Sequence, residues 1–450
     1  MRKIITALCI FCLASLPVKA ETVQKYLNSR QVNSAAVSVS IKNVETGETL
    51  YALNPRTPRV PASTLKLVTL AASVDTLGYD YKFSTKLYKS AQNELYIKLG
   101  ADPFFKTSDL TDLMKIAASK NITEPKKFYI DNTITDNVEW GEGWQWDDDL
   151  NPLMPKFGAY NLDGNLINIE VTPINNNSAP SVGVKPFYPV TVMNFAKTVY
   201  KTDNTLKLER NNSISPNILN LTGTASRKTV FSVPVNNTQV YFNLRLKDAV
   251  DAAKIQNFDT PETAKLPEDK IYLAGEVTHD ITDGMSAVLK NSDNLTAETV
   301  FKLAGGKYKN STGTNEYSLM MLNDYFDKLG LKHEDIKVVD GSGVSKNNLM
   351  TADFMTGFLN ALAKDENFET FKSYMPSPSE GTLKNRMLYF KDNLKAKTGT
   401  LSDASAIAGY IKARSGKIYS FDIMIQDAKT SVADKKNIEE QILRLIYMNN

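Results

Sequence analysis

The chain has 450 residues, 42% of them hydrophobic and 23% charged, with 53 basic and 50 acidic side chains, 22 Gly, two Cys and two His. That balance describes a folded, water-soluble protein. It excludes a disordered chain, which needs fewer apolar residues and more net charge, and a collagen-like fibre, which needs periodic glycine.

Arg2 and Lys3 precede an apolar run from Ile4 to Leu16, and Val18-Lys19-Ala20 places small residues at the −3 and −1 positions. The pattern predicts a secretory signal peptide over residues 1–20, cut after Ala20, because the run is too short to span a bilayer. A retained anchor is the alternative. Losing Arg2, Lys3 and Lys19 leaves 50 basic against 50 acidic residues, so the exported chain offers no electrostatic footprint for nucleic acid. Cys9 and Cys12 leave with the same segment, which removes disulfide and thiol chemistry. His279 and His333 sit in polar stretches and are expected to be surface residues. With so few ligands a structural zinc is excluded and a catalytic one disfavoured, and the base of any covalent chemistry is expected not to be histidine.

Residues 35–54 alternate around Thr46-Gly47 and predict a hairpin. A helix follows Pro58 and Pro61, with Ser63 at its start, Leu67, Leu70, Ala71, Val74 and Leu77 as its apolar stripe, and Gly78 as its stop. From 82 to 265 short alternating runs such as Glu94–Leu99 and Asn165–Val171 are divided by Asn-, Pro- and Gly-rich turns, with one helix-like piece at 108–119. Residues 201–228 are polar and Asn-rich and predict a surface loop or subdomain boundary. Helical periodicity returns at 286–289, 295–303, 317–329 and 352–363. Strands are predicted at 404–412 and 417–426, and an amphipathic helix at 434–447 whose apolar side suits packing on a sheet better than a membrane surface. The two ends of the chain are alike and the middle differs. We therefore expect a discontinuous α/β domain, residues 21–81 and 266–450, interrupted by a β-rich insertion, residues 82–265, that forms one or two extra domains.

Three short motifs carry chemistry. Ser63-Thr-Leu-Lys66 is the single S-x-x-K of the chain. With Ser63 at a helix start, Lys66 lies one turn on and can reach its hydroxyl. Serine needs a base to become a nucleophile, and lysine can serve if burial and neighbouring cations lower its pKa. An N-cap serine with a solvated lysine would look the same. Lys397-Thr398-Gly399-Thr400, the single K-T-G, precedes the strand at 404–412. There a cation and a hydroxyl can hold a carboxylate, and Gly399 lets a substrate backbone approach closely; a turn with a β-bulge is the plain alternative. S-x-N begins at Ser119, Ser215, Ser292 and Ser345. Ser119 and Ser215 read as structural. Ser292-Asp293-Asn294 lies between two predicted helices, where the hydroxyl could relay protons and the Asn294 amide could bind a carbonyl. Ser345-Lys346-Asn347 follows the loop-like Asp340-Gly-Ser-Gly-Val.

S-x-x-K, S-D-N and K-T-G in this order are the recurring set of β-lactamases and penicillin-binding proteins. Together with Val60–Lys66, Leu95–Pro103, Lys290–Leu295 with Ala297-Glu298, Asp340–Ser345, Gly381–Met387 and Lys395–Thr400, they make the chain resemble the low-molecular-mass class C penicillin-binding proteins, the D-alanyl-D-alanine carboxypeptidase/endopeptidase family, over about residues 30–447. The resemblance implies an α/β (α+β) penicilloyl-serine transferase, or β-lactamase-like, fold with the insertion as extra domains. It implies Ser63 as nucleophile, Lys66 as base, Ser292 as proton relay, Asn294 as a peptide contact and Lys397 with Thr398 as the carboxylate site. The backbone N–H groups of Ser63 and Thr400 would form the oxyanion hole. It also implies an acidic residue of the insertion that holds the amine of a diaminopimelate side chain: Asp148, with Asp147 and Asp149 nearly as good and a solvated loop as the alternative. Peptidoglycan stem peptides and β-lactam antibiotics would be the partners, the periplasm the location, and no metal or organic cofactor is implied. The resemblance leaves room for a homodimer and loose membrane association. A serine β-lactamase and a non-catalytic cell-wall-binding protein of the same fold are the rival readings.

Overall fold

The computed structural model describes residues 18–200, 203–269 and 271–450. The predicted signal peptide up to Pro17 lies outside the described residues. In chain order, helix α1 (Val18–Ser29) leads to the hairpin of β1 (Val37–Asn43) and β2 (Thr49–Leu53), and a 3₁₀ turn (Ala62–Leu65) runs into α2 (Lys66–Leu77). Then come β3 (Lys82–Ser90), β4 (Leu95–Lys98), α3 (Thr107–Ser119) and β5 (Phe128–Asp131). Strands β6 (Leu166–Thr172), β7 (Ser181–Lys185), β8 (Thr191–Asn194), β9 (Lys197–Thr198) and β10 (Lys207–Arg210) follow. After them lie β11 (Ile218–Thr222), β12 (Thr224–Ala225), β13 (Thr229–Pro234), α4 (Thr238–Ala252), β14 (Glu262–Thr263) and β15 (Ile271–Asp280). Helices α5 (Ile281–Lys290), α6 (Asn294–Lys309), α7 (Asn315–Lys328), α8 (Ala352–Leu362) and α9 (Phe368–Tyr374) come next. The chain closes with β16 (Leu394–Thr400), β17 (Ala404–Lys412), β18 (Ile418–Gln426) and α10 (Val432–Met448).

The two chain ends share one antiparallel sheet, ordered β16-β17-β18-β1-β2. Its central strands β17 and β18 are covered on both faces and buried almost throughout. Tyr419, Phe421, Ile423 and Ile425 of β18 point to one face, where α1 and α10 supply Val23, Leu27, Ile438, Ile442 and Ile446. On the other face Met424 meets Ala352 of α8 and Ala406. Beyond it α2, α5, α6, α7 and α8 build a helical core around Leu70, Val74, Phe301, Phe326 and Phe358.

The intervening chain has its own core under a second sheet, ordered β14-β5-β4-β3-β15, in which β15 pairs with β3 over its whole length. Three smaller sheets, β13-β6-β7, β10-β11-β8 and β12-β9, complete this part.

Several expectations change. The stretch 201–228 is not merely a loop: β10, β11 and β12 lie in it, and Leu219, Leu221 and Ala225 are buried. The middle region holds a second helix, α4, capped by the Asn237 side chain accepting from Val240 N at 2.9 Å. Ser63 sits in the 3₁₀ turn before α2 rather than in the helix proper. The K-T-G residues lie within a strand of their own, β16, and not in the turn that was the plain alternative. His279 is half-buried, because β15 brings its Nδ1 to 2.6 Å from Oδ2 of the buried Asp102.

Candidate active site

The Ser63 turn is held in a conformation the sequence alone does not announce. Ala62 has φ +47°, a left-handed geometry that costs a non-glycine residue free energy and persists only where surroundings enforce it. Two glycines allow that enforcement. A Cβ on Gly343 would meet the Ala62 carbonyl oxygen at 2.0 Å, and a Cβ on Gly399 would meet Pro61 O and Ser63 N, each at 2.8 Å. The glycine of K-T-G therefore serves the approach of β16 to the Ser63 turn.

Lys66, in the first turn of α2, is wholly buried. Its Nζ donates to Ser63 Oγ at 2.9 Å, to Asn294 Oδ1 at 2.6 Å and to the Ser342 carbonyl at 2.5 Å. Burial lowers its pKa to about 8, against the opposing pull of Asp340, Glu298 and Asp293. The pair thus has the reach and the proton affinity of a nucleophile and its base.

Ser292 and Asn294 flank the start of α6. Asp293 caps that helix by accepting from Thr296 N at 2.7 Å, which turns its two neighbours into the site. Ser292 takes φ +61° to do so. Its Oγ accepts from Lys397 Nζ at 2.8 Å, and Lys397 also donates to Thr398 O at 2.8 Å. Lys397 is fully buried, and desolvation first, then the nearby Lys66, hold its pKa well below the ordinary lysine value. Thr398 Oγ1 donates to Thr382 Oγ1 at 2.8 Å.

Strand β16 is the edge of its sheet. Ala396 N donates off that edge to Pro376 O at 3.1 Å, so the two-residue alternation aims the N–H groups of Thr398 and Thr400 the same way. Thr400 is exposed.

The inserted part reaches this site. Asn294 Nδ2 donates to the Leu153 carbonyl at 2.6 Å, so the amide expected to bind a substrate carbonyl already serves one carbonyl of the chain. Asp148 ends a 3₁₀ turn (Trp146–Asp148) and lines a cleft of about 600 Å³ together with Lys346, Thr400 and Ser402. Partial burial and the neighbouring Asp147 push its carboxyl pKa up. Asp149 is instead ion-paired with Arg210 at 2.7 Å, and Asp147 is exposed. The other S-x-N serines stay outside the site: Ser119 Oγ donates back to Ile116 O, Ser215 Oγ accepts from Asn217 N, and the buried Ser345 donates its N–H to Asp340.

Sequence reasoning missed Ser342, Glu298 and Asp340 as parts of the site. Their only signal was membership of the Asp340–Ser345 and Ala297-Glu298 stretches. Among the described residues no group of three or more His, Cys, Asp or Glu could hold a metal ion, and no helix is long and apolar enough to cross a membrane.

The sequence profile of the D-Ala-D-Ala carboxypeptidase 3 (S13) family matches residues 19–447. The chain is 24% identical over 435 residues to a D-alanyl-D-alanine carboxypeptidase of Actinomadura sp. (strain R39), covering 90% of this chain and 80% of the relative. It is 21% identical over 459 residues to the D-alanyl-D-alanine carboxypeptidase DacB of Haemophilus influenzae, covering 97% and 95%. The crystal structure of penicillin binding protein 4 from Haemophilus influenzae superposes with a TM-score of 0.81 at 21% identity, over 91% of this chain and 96% of that one. A structure of the same protein complexed with a β-lactam gives 0.77 at 20% identity, over the same shares of the two chains. The fold is shared with penicillin binding protein 4.

Proposed function

The chain belongs to the D-Ala-D-Ala carboxypeptidase 3 (S13) family of serine DD-peptidases, and from that premise we propose that Ser63 is its nucleophile and Lys66 the base. The observation that carries the assignment is the 2.9 Å contact between Ser63 Oγ and a buried lysine whose pKa is lowered to about 8. Neutral Lys66 takes the Ser63 proton as Oγ attacks the carbonyl carbon of the penultimate D-Ala. The N–H groups of Ser63 and Thr400 receive the oxyanion, fixed donors being worth most where charge develops. The C–N bond then breaks, and Ser292 Oγ, bonded to Lys397, relays the proton to the leaving amine. Water hydrolyses the acyl-serine and frees the enzyme.

Lys397 and Thr398 hold the carboxylate beside the scissile bond, which would restore the charge that burial disfavours on Lys397. Asn294 uses its second N–H on the peptide, with Leu153 O occupying the first. Asp148 takes the amine of the stem-peptide side chain, since Asp149 is committed to Arg210. A D-alanyl cross-link carries a carboxylate at the same position relative to its scissile bond, so the reading includes endopeptidase action. The β-lactam complex of the Haemophilus protein supports acylation of this chain by such antibiotics. The predicted signal peptide supports a periplasmic location.

The test is intact-protein mass after incubation with benzylpenicillin, alongside D-Ala release from a peptide ending in D-Ala-D-Ala. We expect one penicillin mass added and D-Ala released by the wild type, and neither by Ser63→Ala. An adduct that survives in Ser63→Ala overturns the nucleophile. Rapid penicillin turnover with no D-Ala release would make the enzyme a β-lactamase.

A further inference from the structure

Glu298 has no part in the reaction described above, yet it is buried directly behind Lys66. It lies one turn along α6 from Asn294, on the same helix face. Its Oε1 accepts from Ser342 N at 2.8 Å and its Oε2 from Gly341 N at 3.0 Å. Those bonds fix the peptide whose next carbonyl, Ser342 O, meets Lys66 Nζ. Asp340 braces the same loop, accepting from Gly343 N at 2.8 Å, Ser345 N at 2.7 Å, Asn348 Nδ2 at 2.7 Å and Trp144 Nε1 at 2.9 Å. A buried carboxylate is costly unless paired, and a packed apolar side chain would serve stability as well or better. Neighbouring Lys302 does not pair with it, because its Nζ is held by Asp136 and the Val138 carbonyl, each at 2.5 Å.

We propose that Glu298 is a positioning residue for the acylation step: it clamps the Gly341 and Ser342 N–H groups so that the Ser342 carbonyl faces Lys66 Nζ, and its charge helps set the pH at which Lys66 becomes a base. The inference rests on the assignment of Lys66 made above. The charged groups facing the pair are Asp293 at the N-cap of α6, Lys302 of α6, Asp340 of the loop and Lys397 of β16. On the far side of Glu298, a cleft of about 510 Å³ is lined also by Asp136, Glu142 and Glu316. Ser63 does not line that cleft. Burial first, then Asp340, pushes the Glu298 carboxyl pKa up, against the Gly341 and Ser342 N–H groups that it accepts from. An ionised Glu298 favours the protonated form of Lys66.

Two variants separate charge from reach. Glu298→Gln removes the charge and one of the two acceptors, and keeps one oxygen within reach of the loop. Its acid limb of penicilloyl-Ser63 formation should move down by about one pH unit, the effect of one charge removed at short range in a partly screened interior. Glu298→Asp keeps the charge and loses reach. Its limb should stay in place while the plateau rate falls about tenfold or more, because small misplacements of catalytic groups are expensive in rate. A Gln profile with the wild-type limb, or an Asp variant with the wild-type plateau, overturns the proposal. If Glu298→Gln gives no cooperative melt, the Asp plateau decides alone. Absence of penicillin on Ser63 of the wild type, read in the same mass spectra, would instead sink the nucleophile assignment and this inference with it.

Discussion

Two buried lysines define the site at the scale of single residues. Each is below the ordinary lysine value because burial disfavours its charge. On the proposed mechanism the reactive form of Lys66 is the neutral one, so the sign of the pH dependence is fixed. Penicilloyl-Ser63 formation by the wild type should climb about tenfold per unit from roughly pH 6 and level off above about pH 8; a profile flat across that range would remove Lys66 as base. The Ser63–Lys66 relation was legible in the sequence, because a three-residue spacing at a helix start leaves both side chains on one face. The third partner of Lys66 was not. Ser342 contributes a backbone carbonyl, which every residue has, and its placement depends on Glu298 and Asp340, each remote from it or unremarkable in sequence. Asp148 is one of three adjacent acids in the sequence, and the ion pair of Asp149 with Arg210, which no pattern of residues announces, is what favours it over Asp149 in the proposal.

At the scale of elements, β16 and the Ser63 turn must touch, and Gly399 is where they do. In Gly399→Ala the new methyl carbon would lie 2.8 Å from Pro61 O and Ser63 N, so strand and turn must part. The acylation rate should fall about 100-fold, measured as the second-order rate constant with benzylpenicillin. Wild-type acylation in that variant would mean the turn has room to yield. Helices α5 to α8 were legible because each has a sustained apolar stripe. Helix α4 was hidden by Val240, Tyr241 and Phe242 near its start, residues that favour strands when read locally. Strand β16 was hidden for the opposite reason: Lys397 and Thr398 are polar yet buried, and polar residues in a buried strand defeat a hydrophobic pattern. The strands β10 to β12 are two to five residues long, too short to stand out from their Asn-rich surroundings.

At the scale of the whole molecule, the helical core and the core of the intervening chain are joined by polar fastenings around α6. Asn161 Nδ2 donates to Thr299 Oγ1 at 3.0 Å, Gly313 N donates to Ile134 O at 2.9 Å, and Lys302 holds Asp136. The sheet itself contains a liability. Asp422, central in β18, is fully buried, and neither carboxyl oxygen has a hydrogen-bond partner of normal geometry. Burial, with Glu439 adding to it, raises its pKa well above the usual carboxylate value. A group whose folded pKa is raised contributes most below its unfolded pKa and loses that contribution as pH rises. Asp422→Asn, which fixes the uncharged state, should therefore melt near the wild-type temperature at about pH 4 and several degrees higher at about pH 8. Thermal melts at the two values would check this, and equal gains at both would refute it.

The position of β16 has one more consequence, for what can dock there. An open sheet edge is a template on which any extended segment can add itself, including strands of unfolded neighbours. Here the edge is mostly spoken for: Pro376 takes the Ala396 N–H, and the Ser63 turn crowds Gly399. What remains free is the short run from Thr398 to Thr400, enough for the last residues of a peptide and too little to nucleate a growing sheet. The enzyme can keep its template exposed to the solution without inviting aggregation.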